Sequence, residues 1–477
     1  MRRPPRYDLV VIGGGTGGLV CALIAAGAGA RVVLVERGRT GGDCLWTGCV
    51  PSKALIAAAG LAHHMRHGDA VGLPPHEPEI DFARVMSHVR GAQRRIAPQD
   101  SPERLRREGV EVIQADARFL GPGRVQAGDR ALSCRTAIIA TGSEPVLPPI
   151  PGLGDAEPLT SENLWELSEL PRRLVVLGGG PIGCELGQAF ARLGSRVTII
   201  EMAPRLLLRE EAAASSLIEE RLRADGVDVR TGVSAEAVID GRLQLSSGDP
   251  VAFDQIVAAV GRRASTAELG LESVGVRTDG KGAVAVDERL RTTAPRIFAV
   301  GDVTGALPFT HVAAYHARVA TVNALFGGRS RVSYDAVPWV TFTDPEVARV
   351  GLREADARER WGEEATVTTF EYTDLDRAIT AGEAYGFAKL VGDSRGRLVG
   401  ATVCAPAGGE AIAELAAWIA QGRRIDDVSR TVHAYPTFAE GQARAADAHL
   451  RARLRGSSTR ALARPALAAL RSIDALR

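Results

Sequence analysis

The chain has 477 residues, length enough for about three domains, with 45% hydrophobic and 24% charged residues and a formal net charge of +1. That composition is ordinary for a soluble globular protein, and the charge balance leaves no global field to draw nucleic acid or an acidic membrane. No uninterrupted apolar run reaches the ~20 residues of a membrane span, so no spanning segment is expected.

In chain order, the basic start MRRPPRYDLVVIGGG passes from an apolar stretch straight into glycines. It reads as a short tail and a first strand, not a signal peptide. LVVI is continuously apolar, as in a strand covered on both faces. Gly13, Gly15 and Gly18 then fit G-x-G-x-x-G, and Glu36 ends the next strand 23 residues after Gly13. The first glycine allows the tight turn, the second lets backbone approach a pyrophosphate, and the third lets helix and strand pack closely. The helix N-terminus faces the phosphates and the acid takes a ribose hydroxyl.

GGDCLWTGCVPSK follows at 41–53, with Cys44 and Cys49 five residues apart. Zinc would want a second ligand pair, and none is present. A structural disulfide and a redox pair remain. On one regular helix, residues five apart rise ~7.5 Å and point ~140° apart, while a disulfide wants Cα atoms about 4.4–6.8 Å apart. The two thiols therefore cannot share one regular helix, and Gly41, Gly42 and Gly48 permit the distortion. Pro51 suits a first turn, which puts Cys49 at or near a helix N-terminus, where the dipole favours a thiolate. Cys21, Cys134, Cys184 and Cys404 sit in apolar surroundings and read as buried, inert thiols. Arginine is used almost throughout, and only Lys53, Lys281 and Lys389 are lysines. Lys53, beside the pair, reads as a position that needs a compact ammonium.

SCRTAIIATGSEPVLPPIPG supplies a strand, a Thr-Gly turn and a proline-rich crossing. The first pattern then recurs: Gly178, Gly180 and Gly183 follow a strand, and Glu201 again lies 23 residues after the first glycine. Two such motifs, each strand-flanked and each with its acid, are a specific signal for two nucleotides. DQIVAAVGRRAST and TTAPRIFAVGDVTG are further strands ending in glycines. From about 335 the pattern becomes hairpin-like around DSRG, then helical in GGEAIAELAAWIAQG, an α+β unit of another kind.

In this order GGGTGG, GGDCLWTGCVPSK, ATG, GGGPIGCE, AVGRR, AVGDV, TDPEVARVGL and HAYPTFAEG resemble the class I pyridine nucleotide–disulfide oxidoreductases, the flavoprotein disulfide reductases. The pattern is similar to mercuric reductase and dihydrolipoamide dehydrogenase over about residues 7–450. The resemblance implies an α/β chain with two Rossmann-like domains, for FAD and NAD(P), and a C-terminal α+β dimerisation domain. Expected boundaries are 1–150 for the first part of the FAD domain, 151–265 for the NAD(P) domain and 266–330 for the FAD domain's second part. The interface domain is expected at 331–450 and a basic tail at 451–477. The tail reads as a solvated or dimer-packed helix in preference to a membrane contact.

By the same resemblance, Cys44 is the interchange thiol and Cys49 the thiol against the flavin. Lys53 lies near the flavin N5, with Glu185 as its ion-pair partner. Gly13, Gly15, Gly18, Glu36, Gly42, Thr141, Gly142, Asp302 and Ala313 would hold FAD. Gly178, Gly180, Gly183, Glu201 and Gly261 would hold the nicotinamide nucleotide, NADH being favoured because Glu201 repels a 2′-phosphate. His311 reads as structural. A homodimer is implied, since the family's base comes from the partner subunit. No metal site is expected, and the compartment is expected to be cytoplasmic.

Departures bear on the acceptor. Tyr435 precedes proline where the lipoamide and glutathione enzymes have histidine, as it does in mercuric reductase. Glu440 keeps the spacing of the glutamate that orients that histidine, and His433 falls two residues early. A phenol titrating near 10 is a poor base at neutral pH beside an imidazole near 6.5. The C-terminal cysteine pair of mercuric reductase is missing, Pro181 replaces a gating tyrosine, and Asp43 stands where GGTC has threonine. The favoured expectation is an NAD(P)H oxidoreductase passing electrons through FAD and Cys44–Cys49 to a metal ion, quinone or small disulfide. The alternatives are a dihydrolipoamide dehydrogenase with tyrosine at the histidine position, and a non-catalytic redox sensor.

Overall fold

A computed structural model of the chain describes residues 6–455 and 457–474. Two compact units emerge. The first comprises Met1–Arg66, His76–Leu206 and Leu222–Ser333; the second comprises His67–Pro75, Leu207–Arg221 and Tyr334–Arg477.

The first unit is built on two sheets with parallel cores, the first of which also carries the antiparallel strands Ala117–Gly121 and Arg124–Ala127. Arg6–Ile12 is central to one, flanked by Val32–Glu36 and Arg130–Ile139, all parallel. Val110–Gln114 and Ile297–Ala299 extend it in parallel on either side. Leu9, Val10 and Val11 are fully buried because both faces of the sheet are covered. The helices Thr16–Gly27 and Thr310–Phe326 lie on the Leu9 and Val11 face, whereas Val10 and Ile12 pack on the other face against Phe119 and Val125 of further strands and against Leu269, Leu271 and Val284. The second parallel sheet has the order Asp228–Thr231, Arg196–Glu201, Arg173–Leu177, Gln255–Ala258. The chain leaves the first sheet for the second through Ser143–Pro145 and returns through Arg262–Ala264. These two short strands pair antiparallel, so the crossings form one ribbon.

The two glycine turns are near-copies. Gly13 and Gly178 have φ of +103° and +104°, and a Cβ on either would strike the carbonyl of Ala140 or Ala259. A Cβ at Gly18 or Gly183 would run into the carbonyl of Gly13 or Gly178. Only glycine permits this close approach of helix to strand.

Gly42–Arg66 is apolar enough overall to match a spanning helix in length and composition, but it is not an uninterrupted apolar run and gives no clear span. Its apolar character has another use. The stretch is broken at Thr47 and Gly48 into the helices Gly42–Trp46 and Cys49–Arg66. The longer one packs against Phe82–Ile96 and Pro181–Arg192, and it carries the ion pair made by Lys53.

The second unit is a five-stranded antiparallel sheet in the order Pro338–Thr341, Glu346–Gly351, Leu398–Ala405, Phe387–Gly392, Thr366–Glu371. Helices Gly408–Ala420 and Glu440–Arg455 pack on it around fully buried Tyr372, Leu390 and Val403. Lys389 lies among carboxylates here, 2.7 Å from Glu354 and 3.2 Å from Glu211. The helix Ser457–Asp474 contains Pro465, and its side chains at 463–472 are exposed.

Candidate active site

Cys44 lies in the five-residue helix Gly42–Trp46, entered through Gly41 and Gly42, whose φ values are +105° and +57°. Left-handed backbone at both positions bends the chain as the cysteine spacing requires. Cys49 is the first residue of Cys49–Arg66, so the dipole of a long helix faces its sulfur. Both cysteines are present as thiols, within hydrogen-bonding reach of each other. The pair titrates asymmetrically. The Cys44 thiol donates to Cys49, and together with Thr310 and Lys53 it brings the Cys49 thiol down to about 6, against burial and the Glu185 charge. Cys44 is pushed far up by the same hydrogen bond, by burial and by the Cys49 charge, with Asp100 adding. Cys49 is the thiolate and Cys44 keeps the proton.

One helical turn beyond Cys49, on the same face, Lys53 Nζ donates to Glu185 Oε2 at 2.8 Å. Glu185 is buried and Lys53 is about one-third exposed. The pair joins the cysteine-bearing helix to the helix that begins at the second glycine turn, Pro181–Arg192. Thr310 Oγ1 lies 3.4 Å from Cys49 Sγ. Sequence reading stopped one residue short of it, at His311–Ala313. His311 is exposed and stacks on Phe309 with ring centroids 5.4 Å apart. The buried histidine is His316, whose Nδ1 accepts the Gly301 amide at 3.2 Å and which burial brings down to about 4.

The residues present fit two dinucleotides. Glu36 accepts the amides of Gly14 and Gly38 at 2.5 and 2.7 Å. Glu201 accepts those of Gly179 and Ala203 at 2.6 and 2.7 Å. Each carboxylate is thus aimed from its strand end with lone pairs left for ribose hydroxyls. A Cβ at Gly42 would fall 2.6 Å from Gly15 Cα, so a cradle of bare backbone lies between the first glycine turn and the cysteine segment. Thr141 Oγ1 donates to the Ser265 carbonyl at 2.7 Å, and Gly142 has φ +69°. Gly261, at φ +138°, immediately precedes the return strand. Asp302 accepts from Ser143 Oγ at 2.8 Å; burial raises its carboxyl above the usual range, with Ser143 and Arg262 opposing and Asp43 adding. Ala313 packs against Gly301, where a Cβ would lie 3.1 Å from its own.

The C-terminal motif is wired differently from the spacing argument. Tyr435 is exposed and donates its phenolic proton to Asp376 at 2.7 Å. Glu440 is buried and engaged with Arg444, one turn along its own helix, at 2.8 Å. No hydrogen bond joins Tyr435 to Glu440 among the described residues. His433 lies 2.9 Å from the Thr431 carbonyl through Nδ1 and 2.9 Å from Glu414 through Nε2. Both partners only accept, which favours the doubly protonated ring, and the Glu414 carboxylate holds His433 above the usual imidazole range. Asp376, Glu414 and Arg444 had no signal in the sequence, since nothing in their spacing ties them to HAYPTFAEG.

Comparison with known proteins matches these features. The model of the family described as pyridine nucleotide-disulphide oxidoreductase covers residues 7–317, and that family's dimerisation domain covers 337–446. The chain is 37% identical over 459 residues to the dihydrolipoyl dehydrogenase of Thermus scotoductus, spanning 93% of this chain and 97% of the relative. It is 39% identical over 448 residues to the mercuric reductase of Streptomyces lividans, spanning 91% and 94%. Among solved structures, the Cu(II) complex of the HOCl-induced flavoprotein disulfide reductase RclA from Escherichia coli superposes with a TM-score of 0.84 at 29% identity, spanning 93% and 99%. The chain belongs to the pyridine nucleotide-disulphide oxidoreductase family, whose members work with FAD and NAD(P)H.

Proposed function

We propose that the chain is an NAD(P)H oxidoreductase that passes electron pairs through the Cys44–Cys49 couple to a metal ion, a quinone or a small disulfide, with the metal ion favoured. FAD, when bound, supplies the two-electron step between the nicotinamide and the disulfide. The chain's own residues do the rest. Gly13, Gly15, Gly18, Glu36, Gly42, Thr141, Gly142, Asp302 and Ala313 would hold the FAD. Gly178, Gly180, Gly183, Glu201 and Gly261 would hold the nicotinamide nucleotide, with NADH preferred because a 2′-phosphate would meet the Glu201 carboxylate. On reduction the S–S bond breaks. Cys49 keeps the negative charge beside Lys53 and Thr310, and Cys44 takes the proton. Glu185 holds the ammonium of Lys53 in place. Cys44, on the shorter helix, is the thiol that meets the acceptor, as the family resemblance implies.

The observation that carries the choice of acceptor is the hydroxyl of Tyr435. Its proton goes to Asp376, and Glu440 is buried, with Oε1 held by Arg444, and as a carboxylate is a weak base for a thiol, so neither residue offers an efficient base for a dithiol. A dithiol oxidiser needs such a base; a metal cation that binds the Cys44 sulfur displaces its proton to water without one. The mercuric reductase named above and the Cu(II) complex of RclA support the same reading. The dihydrolipoyl dehydrogenase reading has a relative of equal standing in its favour. The dimerisation domain supports a homodimer. The test is kcat/KM of the FAD-loaded enzyme with Hg(II), Cu(II), benzoquinone, glutathione disulfide and lipoamide, each with NADH and with NADPH. Lipoamide turnover equal to or faster than that of the metal ions would sink the preference, and a strong NADPH preference would sink the role given to Glu201.

A further inference from the structure

Asp43 is the residue before Cys44, and it stands where the family pattern usually has threonine. It is exposed, yet its carboxylate is paired with the Arg262 guanidinium, which is about four-fifths buried. Arg262 begins the strand that returns from the inserted domain. Its Nε donates to Ser143 Oγ at 2.8 Å and its Nη2 to the Ser143 carbonyl at 2.7 Å, both on the outgoing strand. Its Nη1 donates to Ser161 Oγ at 3.1 Å, beyond the crossing. Through Ser143 the chain of contacts reaches Asp302.

The Cys44 turn is held at other points too. The Asp43 carbonyl accepts the amides of Thr47 and Gly48 at 2.9 and 2.5 Å, so a shift at Asp43 moves the whole turn. Gln93 Nε2 donates to the Trp46 carbonyl at 2.7 Å, and Trp165 Nε1 to the Thr47 carbonyl at 2.9 Å. Those tethers grip backbone at the C-terminal end of the short helix. The Asp43 pair is the side-chain tether at its start, next to the sulfur. A neutral threonine hydroxyl would leave the guanidinium without that carboxylate.

The geometry points to Asp43 as a positioning residue: we infer that its pair with Arg262 holds the Cys44 turn against Cys49 and ties it to the strand ribbon that joins the two nucleotide folds. The inference rests on the Cys44–Cys49 relay proposed above. Thr310, Lys53 and Glu185 face Cys49, and Asp100 faces Cys44. All of them remain in an Asp43 variant, and loss of the Asp43 carboxylate, which leaves the Arg262 guanidinium uncompensated, would by itself lower a thiol, so a rise at Cys49 reports the placement of Cys44.

The test uses FAD-loaded enzyme reduced with NADH under anaerobic conditions. Iodoacetamide alkylation is followed against pH at each cysteine in the tryptic peptide 40–53. Wild type should show Cys49 reacting with a midpoint of about 6. Asp43→Asn and Asp43→Thr should raise that midpoint by about one unit, as Cys44 drifts out of hydrogen-bonding reach. Asp43→Glu should return it to within a few tenths of a unit. Turnover with a metal-ion acceptor should fall about tenfold in the first two variants, while NADH-driven bleaching of the flavin stays within about twofold. Should the threonine variant fail to fold, the near-isosteric asparagine carries the test. Folded, FAD-replete variants with an unshifted midpoint would overturn the proposal. A wild type with no thiol titrating below 7 would overturn the relay, and this inference with it.

Discussion

Replacing Tyr435 with histidine should move the enzyme toward dithiols, by an amount that can be estimated. A phenol titrates near 10, and the Asp376 carboxylate pushes Tyr435 higher. At pH 7, about one phenol in a thousand at most is ionised, whereas roughly three-quarters of unperturbed imidazoles are neutral and ready to accept a proton. A phenolate is the stronger base. With a Brønsted slope of roughly one half, the ~3.5-unit difference returns about 50-fold. The net deficit is on the order of tenfold, so Tyr435→His should raise kcat/KM for dihydrolipoamide about tenfold. Adding Arg444→Ala releases Glu440 from its 2.8 Å engagement and should increase the gain by several-fold more, since an orienting carboxylate strengthens an imidazole base. The assay is NAD+ reduction at 340 nm by FAD-loaded enzyme, with metal-dependent NADH oxidation as the counter-reaction. Wild-type oxidation of dihydrolipoamide at the rate of the variant would refute the reasoning.

Three further outcomes are expected. Cys44→Ala removes the largest influence lowering the Cys49 thiol, so the alkylation midpoint of the reduced enzyme should rise from about 6 by a unit or more; an unmoved midpoint would assign the acidity to Lys53 and Thr310 instead. Lys53→Met leaves Glu185 buried without its cation and should cost about 1–2 kcal/mol in denaturant unfolding, below the full cost of breaking a buried pair because Lys53 is partly exposed to water. Glu185→Gln should be milder, and equal losses would argue against a charge effect. The His433–Glu414 contact should contribute about 1 kcal/mol of stability below pH 6.5, because the folded-state pKa of His433 is raised; that contribution is lost as pH rises through the raised value. His433→Gln should therefore destabilise the protein more at pH 6 than at pH 9, and the opposite order would show that the imidazolium assignment is wrong.

Local geometry was legible in the sequence wherever a residue type has few other uses. Gly13, Gly18, Gly178 and Gly183 occupy positions where a Cβ meets a carbonyl, so the turns and the acids Glu36 and Glu201 could be read directly. The cysteine spacing forced a broken helix, and the break occurs at Thr47 and Gly48. What could not be read depends on contacts far apart in the chain. Arg262 meets Asp43 across 219 residues, and Tyr435 meets Asp376 across 59. The spacing of Glu440 suggested a partnership with position 435, but a nearer cation one turn along the helix engages it. Asp43 had no explanation in sequence because its partner lies on the far side of the inserted domain.

The most direct test of the account is a thiol count during anaerobic NADH titration of the oxidised, FAD-loaded enzyme, with alkylation and peptide mapping. The account predicts that two new thiols appear per chain, at Cys44 and Cys49, as about one equivalent of NADH is consumed. Reduction of the bound flavin with the Cys44–Cys49 disulfide left intact would contradict it.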